Sequence, residues 1–197
     1  ARLQLNPAQR LTLPESTEVL QIQPADRSVW FATLERDVTP AVPAIYSWSA
    51  EGLRRFDVPL TPGQAASQTP SLAVSRSGEA LLLAAGKLYQ ASEWSFAALT
   101  KSVEGIPTRI VGGEGFWILT ASNDIYRMDS LNSSLVKVAH TNVRITATAI
   151  TAAGDLWFAT EGGKLAMLKR DSSSAEPLAG APEGEVTALL SDASDQL

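Results

Sequence analysis

Few side chains of this sequence are suited to acid-base or nucleophilic chemistry. His140 is the only histidine, so a single imidazole is available for proton transfer near neutral pH. The chain has no cysteine, which removes thiol nucleophiles, disulfides and cysteine-ligated metals. Without a second histidine the usual zinc spacings cannot occur, and no EF-hand spacing is present. The residues therefore predict neither a metal site nor a cofactor.

Short stretches that resemble functional loops lack the context those loops need. The segment GGEGF, from Gly112 to Phe116, precedes a strand pattern rather than a helix whose N-terminus would bind phosphate. The segment SDASD, from Ser191 to Asp195, has the acids of a cation loop, but its place in the repeat described below predicts a hairpin turn. No GxSxG sequence supports a Ser-His-Asp arrangement.

Charge and hydrophobicity exclude two classes of partner. The net charge is -5, and the 16 basic residues are scattered, with Arg54-Arg55 and Lys169-Arg170 as the adjacent pairs. Binding to a phosphate backbone needs clustered lysine and arginine, so nucleic acid is not a predicted partner. The longest uncharged apolar run, Ala80 to Ala85, falls far short of the roughly 20 residues of a membrane helix, so we predict no membrane insertion by this segment.

The sequence contains an internal repeat, from which the secondary structure around these residues can be predicted. SVWFATL (Ser28 to Leu34) nearly duplicates DLWFATE (Asp155 to Glu161), and GFWILTA and EALLLAA are further copies. The matching anchors are Trp30, Leu81, Trp117 and Trp157, separated by 51, 36 and 40 residues. This spacing, about 42 on average, is typical of a four-stranded propeller blade. We expect the repeated tryptophans to pack between neighbouring blades rather than to bind a ligand.

Each anchor has the same surroundings. An apolar strand and a Gly- or Asp-rich turn precede it, and a second turn, a third strand and a weaker fourth strand follow it. Four short strands per unit without a helical period exclude α/β alternation. The predicted fold is therefore all-β, a β-propeller of four-stranded antiparallel blades.

Irregularities in the repeat predict an insertion and a divided blade. In the first unit, Leu34 to Ala44 form a longer connection between second and third strands, and Pro40 and Pro43 indicate a loop there. Residues 185–197 restart a unit, whereas residues 1–14 resemble a third and fourth strand, so one blade would be split between the termini. We interpret residues 1–197 as a single propeller domain of four complete blades plus the split one, either part of a larger propeller, which we favour, or a compact five-unit ring.

Two segments, ITATAITAAGDLWFATEGGKLAML and VTALLSDASDQL, resemble the propeller repeats of bacterial two-component regulators. In the first unit SVWFAT and IYSWSAEGLRRFDVPL also resemble the virginiamycin B lyase type. The first resemblance implies a sensor region, and the second implies histidine acid-base chemistry with magnesium, for which His140 would be the general base. The second unit lacks the tryptophan, and Ala159 replaces the usual glycine.

Candidate binding residues follow from the propeller geometry, in which the second-to-third and fourth-to-first connections share one face. Such convergent loops are the usual place for a ligand. Trp48 is added as an aromatic anchor one strand beyond the insertion, whose rim is the predicted contact region. The candidates are Glu35, Arg36, Asp37, Trp48, Asp124, His140, Arg144 and Glu161.

The sequence thus favours a non-enzymatic propeller module that senses a ligand or binds a protein within a larger bacterial regulator. We expect it to lie in the periplasm or outside the cell, with the cytoplasm as the alternative, and to dimerise, if at all, through its parent protein. Two other functions stay open. One is a propeller enzyme of the lyase or lactonase type, and the other is a scaffold subunit of a multiprotein assembly.

Overall fold

The computed structural model describes residues 11–37, 41–60, 70–178 and 184–190, and every regular element in those ranges is a β-strand. The strands form because their segments are rich in β-branched and aromatic residues and are separated by glycine-rich turns. The strands are β1 Thr17–Pro24, β2 Ser28–Glu35, β3 Val42–Ser49, β4 Gly52–Phe56, β5 Ser71–Val74, β6 Ala80–Ala84, β7 Lys87–Ser92, β8 Ser95–Ala98, β9 Pro107–Gly112, β10 Phe116–Thr120, β11 Asp124–Met128, β12 Val136–His140, β13 Ile145–Ile150, β14 Leu156–Thr160, β15 Leu165–Leu168 and β16 Ala175–Pro177.

The strands form four antiparallel sheets in which neighbours in sequence are neighbours in space. We call these sheets blade 1 (β1–β4), blade 2 (β5–β8), blade 3 (β9–β12) and blade 4 (β13–β16). Each predicted repeat is one blade, and the anchors Trp30, Leu81, Trp117 and Trp157 all lie on second strands. The fold is a β-propeller of four-stranded blades, as the repeat predicted.

The chain divides into two compact units, residues 1–100 with blades 1 and 2, and residues 101–197 with blades 3 and 4. In unit 1, Trp30 and Phe56 of blade 1 pack with Leu72 and Leu82 of blade 2 in one buried cluster. In unit 2, Trp117 of blade 3 packs with Leu156, Phe158 and Leu168 of blade 4. Trp30 and Trp117 therefore fill the space between adjacent blades, which confirms the interpretation of these two tryptophans as packing residues. Trp157 is half-buried.

Inner strands of adjacent blades are also joined by polar side chains. In unit 1 the Gln21 amide donates to the carbonyl of Leu72 at 2.8 Å and accepts from the Leu72 N–H at 3.0 Å. In unit 2 Arg109 donates to the carbonyl of Thr146 at 2.9 Å. Gln21 pairs with Ala32 and Arg109 pairs with Leu119, each two residues after the repeated tryptophan. The two side chains thus occupy equivalent positions.

The insertion in the first unit is partly strand, which corrects the prediction of a loop from Leu34 to Ala44. Strand β2 continues to Glu35 and β3 begins at Val42, so that Leu34 pairs with Pro43. Proline has a fixed φ of about −65° and no N–H donor, and a strand accepts it where that donor is not used by the ladder. Pro40 lies outside the described residues. Along the sequence, β4 ends at Phe56 and β5 begins at Ser71, and this separation also widens the first repeat.

The proposed divided blade falls mainly outside the described residues, which exclude 1–10 and 191–197. The described parts of the two termini, residues 11–14 and 184–190, contain no strand. Leu11 and Leu13 nevertheless pack against the Phe31 cluster of blade 1. Val186 and Leu189 pack against the Ala147 cluster of blade 4. The division of a blade between the termini therefore stays a prediction.

Candidate functional site

The structure places the eight candidate residues in two groups, one in each unit. Glu35, Arg36, Asp37 and Trp48 lie on or just after β2 and on β3 of blade 1. Asp124, His140, Arg144 and Glu161 lie at one end of blades 3 and 4.

In unit 1 the acidic candidate Glu35 is engaged within its own sheet. Arg55 binds it in a two-pronged contact, with Nε 3.1 Å from Oε1 and a terminal nitrogen 3.0 Å from Oε2. The Tyr46 hydroxyl donates to the same carboxylate at 2.6 Å. The bonds from Arg55 lower the pKa of Glu35 against the effect of burial, and burial together with the bond to Glu35 raises the pKa of Tyr46 to about 12. These hydrogen bonds connect β2, β3 and β4 of blade 1 through their side chains.

The remaining unit 1 candidates are also used within blade 1 or lie in solvent. Arg36 pairs with Glu18 through Nε and a terminal nitrogen, and its backbone N–H donates to the carbonyl of Ser16. Trp48 is half-buried and packs against the cluster of Phe31, Ala44 and Tyr46. Asp37 is exposed. A binding role for Arg36, Asp37 and Trp48 stays a prediction.

In unit 2 the acidic candidate Asp124 is buried and anchors a polar cluster. Its Oδ1 lies 2.8 Å from Nζ of Lys137 and 2.9 Å from Nδ1 of His140, and its Oδ2 accepts from the Ser122 hydroxyl at 2.9 Å. The hydrogen bonds from Lys137, His140 and Ser122, in that order of effect, lower the pKa of Asp124 to about 2. His140 keeps about half of its side chain exposed (51%). The structure therefore brings two candidates, Asp124 and His140, into direct contact.

Backbone hydrogen bonds join the loops around this cluster. The N–H of Ala121 donates to Ile106 at 2.8 Å, that of Thr141 to Asn123 at 3.0 Å, and that of Glu161 to Arg144 at 2.8 Å. We call the segments 106–108, 120–124, 140–145 and 160–164 the unit 2 rim. Asn123 has a φ of 62°, in the left-handed region that asparagine tolerates better than most residues. The connections predicted to share one face do so within unit 2.

A pocket of about 320 Å³ opens at the unit 2 rim. Its lining combines an arginine of β9 and an arginine of the β12–β13 connection with polar and apolar residues around them. The lining residues are Thr108, Arg109, Leu119, Thr120, Ala121, Asn123, Arg144 and Ile145. Arg144 was predicted as a candidate from its loop position, and in the structure it lines the same pocket as Arg109.

The two pocket arginines have different surroundings. Arg109, on β9, is half-buried and donates to the carbonyl of Thr146 and, at 3.5 Å, to the hydroxyl of Thr148. Burial, and secondarily the charge of Arg144, lowers the pKa of Arg109. Arg144 is exposed. Within the described ranges no acidic side chain forms an ion pair with either arginine. The pocket thus carries uncompensated positive charge in a chain whose net charge is negative.

Sequence reasoning missed Arg109, Asn123 and Lys137. Arg109 is the charged residue of the inner strand β9, away from the connecting loops from which the candidates were predicted. A usable signal was present in the small residues of ITATAI, the facing inner strand of the next repeat, because small side chains leave space for a long one. Lys137 belongs to a weak fourth strand, and only the pairing of β11 with β12 brings it to Asp124.

Across the described part of the chain, no group of three or more histidine, aspartate or glutamate side chains is placed to hold a metal ion. The same residues include no helix long and apolar enough to cross a lipid bilayer.

Comparison with known proteins relates the chain to other propellers by fold alone. No protein-family model and no curated protein matches its sequence. Among solved structures, YCF48 from Cyanidioschyzon merolae aligns over 90% of the chain with 12% identity and a TM-score of 0.60. A structure of YCF48 bound to D1 peptide aligns over 98% of the chain with 15% identity and a TM-score of 0.60.

The extracellular domain of the one-component system BT4673 from B. thetaiotaomicron aligns over 93% of the chain, with 14% identity and a TM-score of 0.59. The chain spans 61% and 63% of the two YCF48 chains and 26% of the BT4673 chain, which is less than two thirds of each.

Proposed function

We propose that this chain is a non-enzymatic propeller module that binds a peptide segment of a protein partner at the unit 2 rim. The observation that carries the proposal is the pair of exposed apolar side chains beside the pocket, Ile106 (63% exposed) and Val143 (43% exposed). Each precedes the first strand of its blade. Ile106 is hydrogen-bonded to pocket residue Ala121, and Val143 precedes pocket residue Arg144.

Apolar side chains beside a polar, charged pocket are typical of protein-binding surfaces. Exposed aliphatic groups provide buried area on binding, and the charged groups fix orientation. Enzymatic chemistry has less support at this rim, because no nucleophile is hydrogen-bonded to His140 in the described residues.

Two comparisons support a binding function. The YCF48 structure contains a bound D1 peptide, so a propeller with this fold can hold a peptide. The BT4673 domain is the extracellular part of a one-component system. We propose, with this support, that the module belongs to a larger bacterial sensor or regulator and lies outside the cytoplasm. Reporter fusions to the full-length parent protein test the compartment, and activity of a cytoplasm-restricted reporter would contradict it.

The binding proposal is tested with peptides selected from a random displayed library against the wild-type chain. In the double variant Ile106→Ser/Val143→Ser, we expect the affinity of the selected peptides to fall by about tenfold or more, because two buried aliphatic contacts are lost. The melting temperature should stay nearly unchanged, since both side chains are exposed. Fluorescence polarisation measures the affinity.

Val136→Ser is the matched control, because Val136 is equally apolar and 51% exposed but lies on the fourth strand β12, at the end opposite the rim-proximal His140. It should bind the selected peptides with wild-type affinity. Selected peptides that bind the double variant as tightly as the wild type would overturn the placement of the site. A selection that yields no specific peptide would count against the proposed function itself.

A further inference from the structure

We infer that the unit 2 pocket is a carboxylate-binding site in which the guanidinium groups of Arg109 and Arg144 hold the anion between them. The inference rests on the proposed function, because it names the chemical group that a partner would present to the rim. It depends on the pocket itself, its two unpaired cations and the way Arg109 is held.

Two cations without an acidic counterpart require a physical reason. Arg109 is half-buried, and its position next to Arg144 is electrostatically unfavourable in the free protein. The two acids of the rim form no ion pair with either arginine. The carboxylate of Asp124 is bonded to Lys137, His140 and Ser122, and Glu161 contacts Arg144 through its backbone N–H. An external anion would supply the missing negative charge.

The need to bridge two blades does not explain the charge of Arg109. In blade 1 the equivalent residue Gln21 makes the same inner-strand bridge to the next blade with a neutral amide. The fold can therefore join these strands without a guanidinium. What arginine adds at position 109 is a positive charge and further N–H donors beyond those used on Thr146 and Thr148.

Charge and burial favour a carboxylate over a phosphate. A planar guanidinium binds either anion through two parallel hydrogen bonds, so this geometry does not by itself select between them. The contacts to Thr146 and Thr148 hold Arg109 in place before binding, which lowers the entropy cost of association. A phosphate monoester carries about -1.5 to -2 charges at neutral pH, so its transfer into a partly buried site costs more desolvation.

The polar residues at the pocket wall define the rest of the site. The Thr108 hydroxyl donates to the carbonyl of Leu119, and the Thr120 hydroxyl is bonded to Ser122 and to the Asp124 N–H, so both are used within blade 3. The Asn123 side chain has no hydrogen bond to the described residues and offers an amide donor at the pocket wall.

The test uses the chain as it is, with propionate as the probe and NMR detection of the arginine Nε–Hε groups. We expect saturable shifts of the Arg109 and Arg144 signals with propionate and none with the neutral isostere propionamide. Arg144→Gln, at an exposed position, and Arg109→Gln should each weaken propionate binding by about tenfold or more, as expected for loss of a charged hydrogen bond. Arg109→Gln should fold, because glutamine makes this bridge in blade 1.

Arg170→Gln is the control, since Arg170 lies in the same unit and pairs with Asp129. It should bind propionate like the wild type. Absence of saturable propionate shifts would overturn the inference, and so would propionate binding of wild-type affinity by both pocket variants. Tighter binding of methyl phosphate than of propionate would also overturn it.

The inference and the proposed function fail in different ways. If selected peptides bind through Ile106 and Val143 while propionate does not bind, the carboxylate site is wrong and the peptide-binding function stands. If propionate binds and no peptide does, the pocket takes a free small acid and the proposed function is wrong. Peptides with a free or an amidated C-terminus, and with or without an internal glutamate, identify which carboxylate of a partner enters.

Discussion

At the scale of single residues, Asp124 is the acid on which the unit 2 rim depends. Its carboxylate binds Lys137 and His140 from β12 and Ser122 from the turn before β11. Its backbone N–H donates to the Thr120 hydroxyl at 3.1 Å. One side chain thus connects the β10–β11 turn to the outer strand of blade 3, next to the pocket residue Asn123.

We predict that Asp124→Asn lowers the melting temperature at neutral pH and that this difference disappears in acid. The folded-state pKa of Asp124, about 2, lies below its ordinary value of 3.8. A lowered pKa stabilises the fold above the ordinary value, and the stabilisation is lost as pH falls through the folded-state value. Circular dichroism melting curves between neutral pH and pH of about 2 measure the effect.

The control for Asp124 is Asp171→Asn, which changes an exposed acid of the same unit. It should leave the melting temperature close to that of the wild type throughout the pH range. A destabilisation by Asp124→Asn that stays constant down to the lowest pH would mean that the charge of the carboxylate is not what stabilises the rim.

The sequence predicted part of this rim. Asp124, His140, Arg144 and Glu161 were predicted from loop positions in the repeat, and unit 2 places them along one rim. Arg109 could not be found in that way, because its role depends on a side chain crossing from β9 to β13. Contacts between blades are not encoded in the pattern of any single repeat, whereas loop positions are.

At the scale of elements, the turn from β14 to β15 makes a sharp test of backbone geometry. Gly162 and Gly163 have φ values of 90° and 78°, where side chains are strained. A Cβ on Gly162 would have no atom within 4 Å, but one on Gly163 would lie 1.8 Å from the carbonyl oxygen of Gly184. Replacing each glycine by alanine therefore distinguishes the cost of backbone strain, present at both positions, from the cost of steric overlap, present only at Gly163.

We predict that Gly162→Ala costs about 1–2 kcal/mol of unfolding free energy and Gly163→Ala about 3 kcal/mol or more. The first change adds only left-handed strain, and the second also displaces the 184 segment from the turn. Urea denaturation measures both, with Gly162→Ala as the control for Gly163→Ala. Equal costs would show that the chain around Gly184 does not rest on this turn.

The elements themselves were largely predictable. The sixteen strands follow the four-strand pattern around each anchor, because alternating apolar residues and Gly- or Asp-rich turns specify hairpins locally. The error at Pro43 has a physical cause. Proline cannot occupy a strand position whose N–H must donate a hydrogen bond to the neighbouring strand, but it can occupy other strand positions. Pro43 is in such a position and pairs with Leu34 on the extended β2–β3 hairpin.

At the scale of the whole molecule, each blade should be stabilised mainly by packing against the adjacent blade. Trp117 is 1% exposed and packs on Leu156 and Phe158 of blade 4, and Trp30 is 6% exposed and packs on blade 2. The Trp30 ring lies 4.9 Å from that of Phe56, which in turn meets Phe96 of blade 2 edge-on at 6.0 Å. In repeat folds each unit is stabilised mainly by its direct neighbours.

We predict that Trp117→Ala and Trp30→Ala each remove about 3–5 kcal/mol, and that the loss is local. Hydrogen exchange should show lost protection in β9–β16 for Trp117→Ala and in β1–β8 for Trp30→Ala, so each variant is the control for the other. Trp157→Ala should cost less, because Trp157 is half-buried. Equal loss of protection in all sixteen strands for either variant would mean that the chain unfolds as one cooperative body. In that case packing between two blades would stabilise the whole molecule rather than the unit that contains it.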